Sequence, residues 1–411
     1  SSAASDVYKR QVQYAPTRFA HLYFLLVEGI MLQRLTFALA PVYLLFFATP
    51  LFAEIMPAPA PPIVGAKSYL VIDGRTGAEL ASLSPDEALA PASLTKIMTT
   101  YVVFDALKKG QLNLDDEVTI SEKAWRMEGS RMFVEVGSRV AVKDLLLGMI
   151  VQSGNDASVA LAEHIAGSES VFAELMNQHA ARLGMHSSHF MNASGLPAEG
   201  HLTTARDLAT LAQALVTDFP DYYPWHAIKE YTYNDIRQDN RNSLLWRDPS
   251  VDGLKTGHTE DAGYCLVASA QRDGMRIISV VMGTSSTKAR TDGTQALLNY
   301  GFRFFETRLL FKAGQEVTTA RVWKSANEQS RLGVFDDLYV TLRRGAYDQL
   351  ESTLDIPAIL TAPLTTGQPV AELSVHLGKD RLLTAPLRAL EDNPAGSLWQ
   401  RARDSVSLWF E

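Results

Sequence analysis

The apolar positions of this chain change period several times, and the changes mark out its elements. Residues 68–73 and 78–82 are apolar-rich runs on either side of Gly74-Arg75-Thr76-Gly77, which predicts a β-hairpin. A second pair, 263–270 and 275–283, brackets Gln271-Arg272-Asp273-Gly274. Between the pairs the period lengthens. Residues 157–165 and 208–215 gather apolar side chains on one helical face, and 295–305 reads as a closing helix. Strands at both ends with helices between them predict one α/β domain whose sheet is assembled from both ends of its sequence.

After about residue 310 the pattern breaks into short strand-like runs, such as 338–342 and 369–375, with frequent Gly and Pro. That predicts a second, β-rich domain ending near residue 390. In the final stretch, GSLWQRARDSVSLWFE, one helical face collects Trp399, Ala402, Val406, Trp409 and Phe410, with Arg401, Asp404 and Ser405 away from it. A helix of fourteen residues from Leu398 would be about 21 Å long, too short for a bilayer core of about 30 Å. An interfacial membrane helix is the functional expectation; packing back onto the protein is its alternative. Arg401 and Arg403 are offset by Asp404 and Glu411, so attachment would rest on apolar burial.

The most apolar stretch, MLQRLTFALAPVYLLFFATPLFA at 31–53, has a positive residue, an apolar run over 35–48 and small residues after it. It reads as a signal peptide, and Pro41 and Pro50 argue against a long membrane helix. The expected layout is an upstream extension at 1–30, the signal peptide at 31–53, a Pro/Ala-rich linker at 54–62, the α/β domain at 63–307, the β-rich domain at 308–392 and the amphipathic helix at 393–411. With 46% hydrophobic and 20% charged residues the composition is that of a globular protein. A net charge of −8 gives no broad attraction to nucleic acid. The single cysteine, Cys265, excludes an intramolecular disulfide, a CxxC redox pair and a cysteine zinc cluster. Within its apolar strand it is expected to be a buried structural thiol.

Neither an HExxH zinc helix nor a GxSxG nucleophile elbow occurs. Three other motifs do, in order: Ser93-Leu94-Thr95-Lys96, Ser153-Gly154-Asn155 and Lys255-Thr256-Gly257. The first is weak alone, since Ser285-Ser286-Thr287-Lys288 matches the same pattern, whereas the third is rare by chance. Ser93 follows Pro91-Ala92 and opens a segment with Leu94, Ile97, Met98 and Tyr101 at helical spacing. That puts Ser93 at a helix N-terminus with Lys96 one turn further on the same face. A serine hydroxyl needs a neighbouring base, and a lysine becomes one when burial beside a second cation, here Lys255, lowers its pKa. Read alone, Ser93 would be an N-cap and Asn155 or Asp156 another. Lys255, Thr256 and Gly257 lead into an apolar strand, an edge suited to an extended peptide ending in carboxylate. His258 has no carboxylate pattern near it that would make a Ser-His-Asp triad.

On these residues the chain resembles the penicillin-binding serine D-alanyl-D-alanine carboxypeptidases, closely those of the low-molecular-mass penicillin-binding protein 5/6 type. The likeness runs through PASLTKIMT at 91–99, QSGNDA at 152–157, NRNSLLW at 240–246, VDGLKTGHT at 251–259 and GFRFFET at 301–307, then the β-rich domain and the tail. It implies a β-lactamase/transpeptidase-like antiparallel sheet flanked by helices, followed by a small all-β sandwich-like domain. It also implies that Ser93 forms the acyl-enzyme, with Lys96 as general base, Ser153 shuttling a proton, Asn155 flanking the substrate and Lys255 holding that network. Thr256 and Gly257 would line the peptide, the backbone N–H groups of Ser93 and His258 would form the oxyanion hole, and Arg241 and Arg290 would lie near the substrate carboxylate. A surface salt bridge is the plainer reading of those two arginines. Ser158 stands where some relatives carry a cysteine.

The expected partners are peptidoglycan pentapeptide stems, β-lactams as covalent inhibitors and the outer face of the cytoplasmic membrane, in the bacterial periplasm; no nucleic acid, metal or organic cofactor is implied. The rival readings are a serine β-lactamase, a DD-endopeptidase and a non-catalytic wall-binding module. Glu174-Leu175-Met176-Asn177 offers a superficial Glu-x-x-Asn pattern for the first, but lies inside the helical run 171–185.

Overall fold

The computed structural model describes residues 59–410; the expected extension, the signal peptide and the first linker residues lie outside that range. Strands β1 (Ser68–Asp73) and β2 (Glu79–Leu83) form the first hairpin, and β3 (Val251–Thr259), β4 (Gly263–Arg272) and β5 (Met275–Thr284) form a later meander. They combine in one five-stranded sheet of order β2-β1-β5-β4-β3, with every pairing antiparallel. The sheet is thus built from both ends of the domain, as the pattern predicts. The β4–β5 turn is closed by Asp273 and Gly274, both at positive φ (49° and 82°), the geometry favoured where two twisted strands meet in a tight hairpin.

Because β1 and β5 are buried on both faces, their alternating side chains feed two separate cores. Leu70, Ile72, Ile278 and Val280 face one core with helices α1 (Thr95–Lys108), α2 (Asn155–Ala166), α3 (Glu169–Arg182) and α4 (Ala205–Asp218). Tyr69, Val71, Ile277 and Val281 face the other, against Leu297 and Leu298 of α5 (Thr287–Phe304). Helix α5 begins eight residues before the expected start at 295. Its first turns bury Arg290, Thr291 and Thr294 rather than an apolar stripe, and Ser286 caps it by accepting from the Ala289 N–H at 3.0 Å.

Strand Phe305–Phe311 follows α5 directly and pairs antiparallel with Leu338–Arg343. Beside it, a six-stranded sheet runs in the order Leu350–Asp355, Pro369–Leu377, Asp380–Ala389, Gln329–Gly333, Glu316–Trp323, Leu360–Thr361 and encloses a third core. The last helix, α6 (Leu398–Ser407), has ten residues, shorter than the fourteen expected. Among the described residues no helix is long and apolar enough to cross a membrane.

The buried carboxylate of Asp73 joins the two parts of the molecule. It accepts from the Arg75 and Thr76 N–H groups at 2.9 and 2.7 Å, which fixes the first hairpin turn, and from the Thr307 hydroxyl at 2.5 Å. Thr341 then bonds both Thr76 and Thr307, at 2.6 and 3.0 Å. Replacing Asp73 with Ala leaves these donors without their acceptor. The substitution is expected to cost about 1–3 kcal/mol, read as a lowered thermal unfolding midpoint; an unchanged midpoint contradicts this role.

Candidate active site

The chain enters α1 through a single tight turn, Ala92–Leu94, so Ser93 sits at the N-terminal end of the helix, two residues ahead of its first residue, Thr95. Leu94, Ile97 and Met98 are fully buried and Tyr101 nearly so, which anchors this segment and leaves the half-buried Ser93 facing a cleft of about 300 Å³. Lys96 is 1% exposed. Its Nζ lies 3.0 Å from Ser93 Oγ, 2.7 Å from Asn155 Oδ1 and 2.6 Å from the Ser194 carbonyl oxygen. The last two atoms are acceptors only. A neutral amine has two N–H bonds and one lone pair, so those two partners take both N–H bonds and the lone pair is left for the Ser93 hydroxyl. Burial pushes the Lys96 pKa down to about 7; the Asp156 carboxylate opposes that fall and the Arg241 charge adds to it.

The second motif is placed by unusual backbone. Residues Gly148–Gln152 form a widened helical turn that ends at Ser153, a non-glycine residue held at φ 69°. Ser153 is 3% exposed and lines the cleft. The capping reading does not hold for Asn155: its Oδ1 takes the Lys96 bond and its Nδ2 donates to the Glu128 carbonyl at 2.6 Å.

The third motif lies on β3, the edge strand of the sheet. Lys255, Thr256 and Gly257 are buried while His258 is exposed, with its ring 3.9 Å from that of Tyr264. A Cβ on Gly257 would fall 3.1 Å from the Pro91 carbonyl and 3.2 Å from Leu94, so the side-chain-free residue lets β3 press against the Ser93 turn. Cys265 pairs with Gly257 across the sheet and is buried, its thiol pushed up by burial, as expected of a structural cysteine.

Lys255 Nζ donates to the Thr256 carbonyl at 3.1 Å, and among the described residues no hydrogen bond joins it to Ser153. Lys96 and Lys255 repel one another, and the Arg241 charge acts on both. Lys255 is itself held well below the ordinary lysine range, by burial first and then by Lys96, Arg241 and Arg290.

Arg241 and Arg290 both line the cleft. Arg241 Nη2 donates to Ser130 Oγ at 3.1 Å and its Nε to the Gln152 carbonyl at 3.3 Å. Arg290, 7% exposed, donates to the Gly257 carbonyl at 3.2 Å. Neither makes an ion pair among the described residues, which removes the surface salt-bridge reading. Glu174 is exposed on α3 and Asn177 bonds both ways to the Phe190 backbone, so that pair stays away from the cleft.

Three contributors escaped the sequence reading. The Ser194 carbonyl is backbone and has no side-chain signature. Ser130 comes from an irregular segment without a motif. Asp156 adjoins the second motif and reads as a cap, yet both its oxygens accept from the backbone of residues 132–134.

Residues 56–286 match the family described as D-alanyl-D-alanine carboxypeptidase, and 305–395 match the penicillin-binding protein 5 C-terminal domain. The chain is 43% identical over 377 residues to the D-alanyl-D-alanine carboxypeptidase DacC of Escherichia coli, covering 90% of this chain and 94% of that one. Penicillin-binding protein 5 from Haemophilus influenzae has a similar solved structure, with 40% identity, a TM-score of 0.79, and coverage of 82% of this chain and 99% of that one. Penicillin-binding protein D2 from Listeria monocytogenes, solved in an ampicillin-bound form, aligns at 30% identity and a TM-score of 0.54 over 58% of this chain and 98% of its own. With its three motifs gathered around one cleft and both domains matched, the chain belongs to the serine D-alanyl-D-alanine carboxypeptidases of the penicillin-binding protein 5/6 type.

Proposed function

We propose that Ser93 is the nucleophile that removes the terminal D-alanine from peptidoglycan pentapeptide stems, with Lys96 as its base. The supporting observation is the Lys96 amine, whose two acceptor-only partners leave its lone pair aimed at Ser93 Oγ. In this mechanism Ser93 Oγ bonds to the carbonyl carbon of the last peptide link as its proton passes to Lys96 Nζ. The oxyanion is met by the backbone N–H groups of Ser93 and His258. The C–N bond then breaks and the departing amine takes the proton from Lys96 by way of Ser153. Water attacks the resulting ester, a proton passes back through the lysine, and Ser93 is released. Asn155 holds Lys96 in line, and Thr256 and Gly257 give the extended peptide an open strand edge.

Charge favours a substrate with a free carboxyl end. Lys96, Lys255, Arg241 and Arg290 converge on the cleft, and Asp156 is the carboxylate that faces Lys96. A terminal carboxylate beside Arg241 and Arg290 supplies the missing negative charge, which supports carboxypeptidase over endopeptidase action. β-Lactams, which carry a comparable carboxylate next to a strained amide, would acylate Ser93 by the same attack. Helix α6 is proposed to hold the enzyme on the outer face of the cytoplasmic membrane, in the periplasm. Its polar side is tied to the protein: Asp404 is buried and accepts from the Lys324 N–H at 2.6 Å. Its outer side is bare: Trp399 and, past the last helical residue rather than on the expected helical face, Trp409 and Phe410 are each more than 85% exposed.

Incubation with benzylpenicillin is expected to add one antibiotic to the intact mass, and Ser93→Ala to abolish both this adduct and D-alanine release, with kcat falling about a thousandfold or more. Release from a pentapeptide should outpace cleavage of a cross-linked dimer. Rapid hydrolysis of the antibiotic without a lasting adduct contradicts the reading in favour of a β-lactamase. The full chain is further expected to co-sediment with phosphatidylcholine vesicles even in high salt and to be released by the double substitution Trp399→Ser and Trp409→Ser; a parent protein that stays in the supernatant overturns the attachment.

A further inference from the structure

Asp156 is 1% exposed, and the chemistry assigned to the three motifs makes no use of it. Its Oδ1 accepts from the N–H groups of Met132 and Ala157 at 3.0 and 2.9 Å, and its Oδ2 from those of Phe133 and Val134 at 2.9 and 3.3 Å. Four backbone donors on one carboxylate are far more than helix capping requires. Three of them belong to a segment whose middle residue, Phe133, is held at φ 68°, a left-handed conformation that a bulky residue adopts only when its surroundings enforce it.

The residues just before that segment, Gly129 and Ser130, form one wall of the cleft. The Ser130 carbonyl accepts from the Asn155 N–H at 2.7 Å, and the Glu128 carbonyl from Asn155 Nδ2 at 2.6 Å. Ser130 Oγ donates to the Gln152 carbonyl at 2.7 Å and accepts from Arg241 Nη2 at 3.1 Å. A chain of direct bonds and short backbone therefore runs from Asp156 through residues 130–134 to the Arg241 guanidinium. Asp156 directly follows Asn155, whose Oδ1 lies 2.7 Å from Lys96 Nζ, and its negative charge acts on Lys96 against Arg241, on the segment after strand Ile236–Asp239, and Lys255 on β3; Tyr233 also feels that charge.

We propose that Asp156 is a positioning residue for the reaction: it pins the 132–134 backbone, sets the wall that presents Ser130 and Arg241 to the substrate carboxylate, and serves as the buried counter-charge to Lys96. The inference rests on the roles proposed for Ser93, Lys96 and Arg241. It differs from a purely structural role in its consequences. Loss of the wall geometry raises KM, and loss of the counter-charge makes Lys96 easier to deprotonate.

The test compares parent, Asp156→Asn and Ser130→Ala in the full chain, using a synthetic stem peptide ending in D-Ala-D-Ala across a pH series. The Asn side chain keeps one acceptor oxygen, and its amide nitrogen cannot receive the remaining N–H bonds. Asp156→Asn is expected to raise KM about tenfold and to move the acid limb of kcat/KM to lower pH by about one unit. Ser130→Ala is expected to raise KM with the acid limb where it is in the parent. A folded Asp156→Asn with a lowered unfolding midpoint but parental KM and parental acid limb overturns the proposal. If that variant does not fold, Ser130→Ala decides: an unchanged KM overturns the proposal and a raised KM with an unmoved limb supports it. A parent protein that forms no adduct at Ser93 sinks the underlying assignment instead, an outcome distinct from a working parent with indifferent variants.

Discussion

The site depends on one constraint: an amine that must remain buried with a free lone pair. Taking an ammonium group out of water costs several kcal/mol even after relaxation, so the surroundings of Lys96 favour its neutral form. Its neighbours, Leu94 of the entry turn and Ile97 and Met98 of α1, supply that dry environment as a side effect of packing the main core. Dryness alone would leave the amine free to turn. Asn155 Oδ1 and the Ser194 carbonyl fix its direction, since neither can donate a hydrogen bond back.

The fold exists at this point to bring distant segments to that amine. Residues 93–96, 153–155, 194 and 255–257 meet because β3 closes the sheet edge beside the Ser93 turn while α2 starts under it. The approach is close enough to dictate residue types. Gly195 is at φ 85°, and a Cβ there would fall 1.8 Å from the Ala92 carbonyl, so the loop that supplies the Ser194 oxygen lies directly against the nucleophile turn. The β-rich half is fastened to the opposite side of the sheet through Asp73, Thr307 and Thr341, and carries α6 with its aromatic face outward.

Much of this was legible from residue order. The two hairpins announce themselves by turn residues between apolar runs, and the three motifs gain force from standing in strand or helix contexts that suit their chemistry. What stayed hidden has physical causes. The start of α5 hides behind Arg290, Thr291 and Thr294, buried polar residues that break the apolar period. Lys96's second acceptor is a backbone oxygen, which any residue could provide. Arg241 reaches the lysine pair only through tertiary packing, so its charge adds to that of the pair in a way no sequence spacing shows. Asp156 resembled an ordinary cap because capping is what an acidic residue at a helix start usually does.

The most direct test is the protonation state of Lys96 itself. In protein labelled with 15N at lysine side chains, NMR titration should show an Nζ resonance, absent in Lys96→Arg, that titrates near pH 7. A Lys96 resonance that remains that of an ammonium up to pH 9 would contradict the account, because the lone pair on which it depends would not exist where the enzyme works.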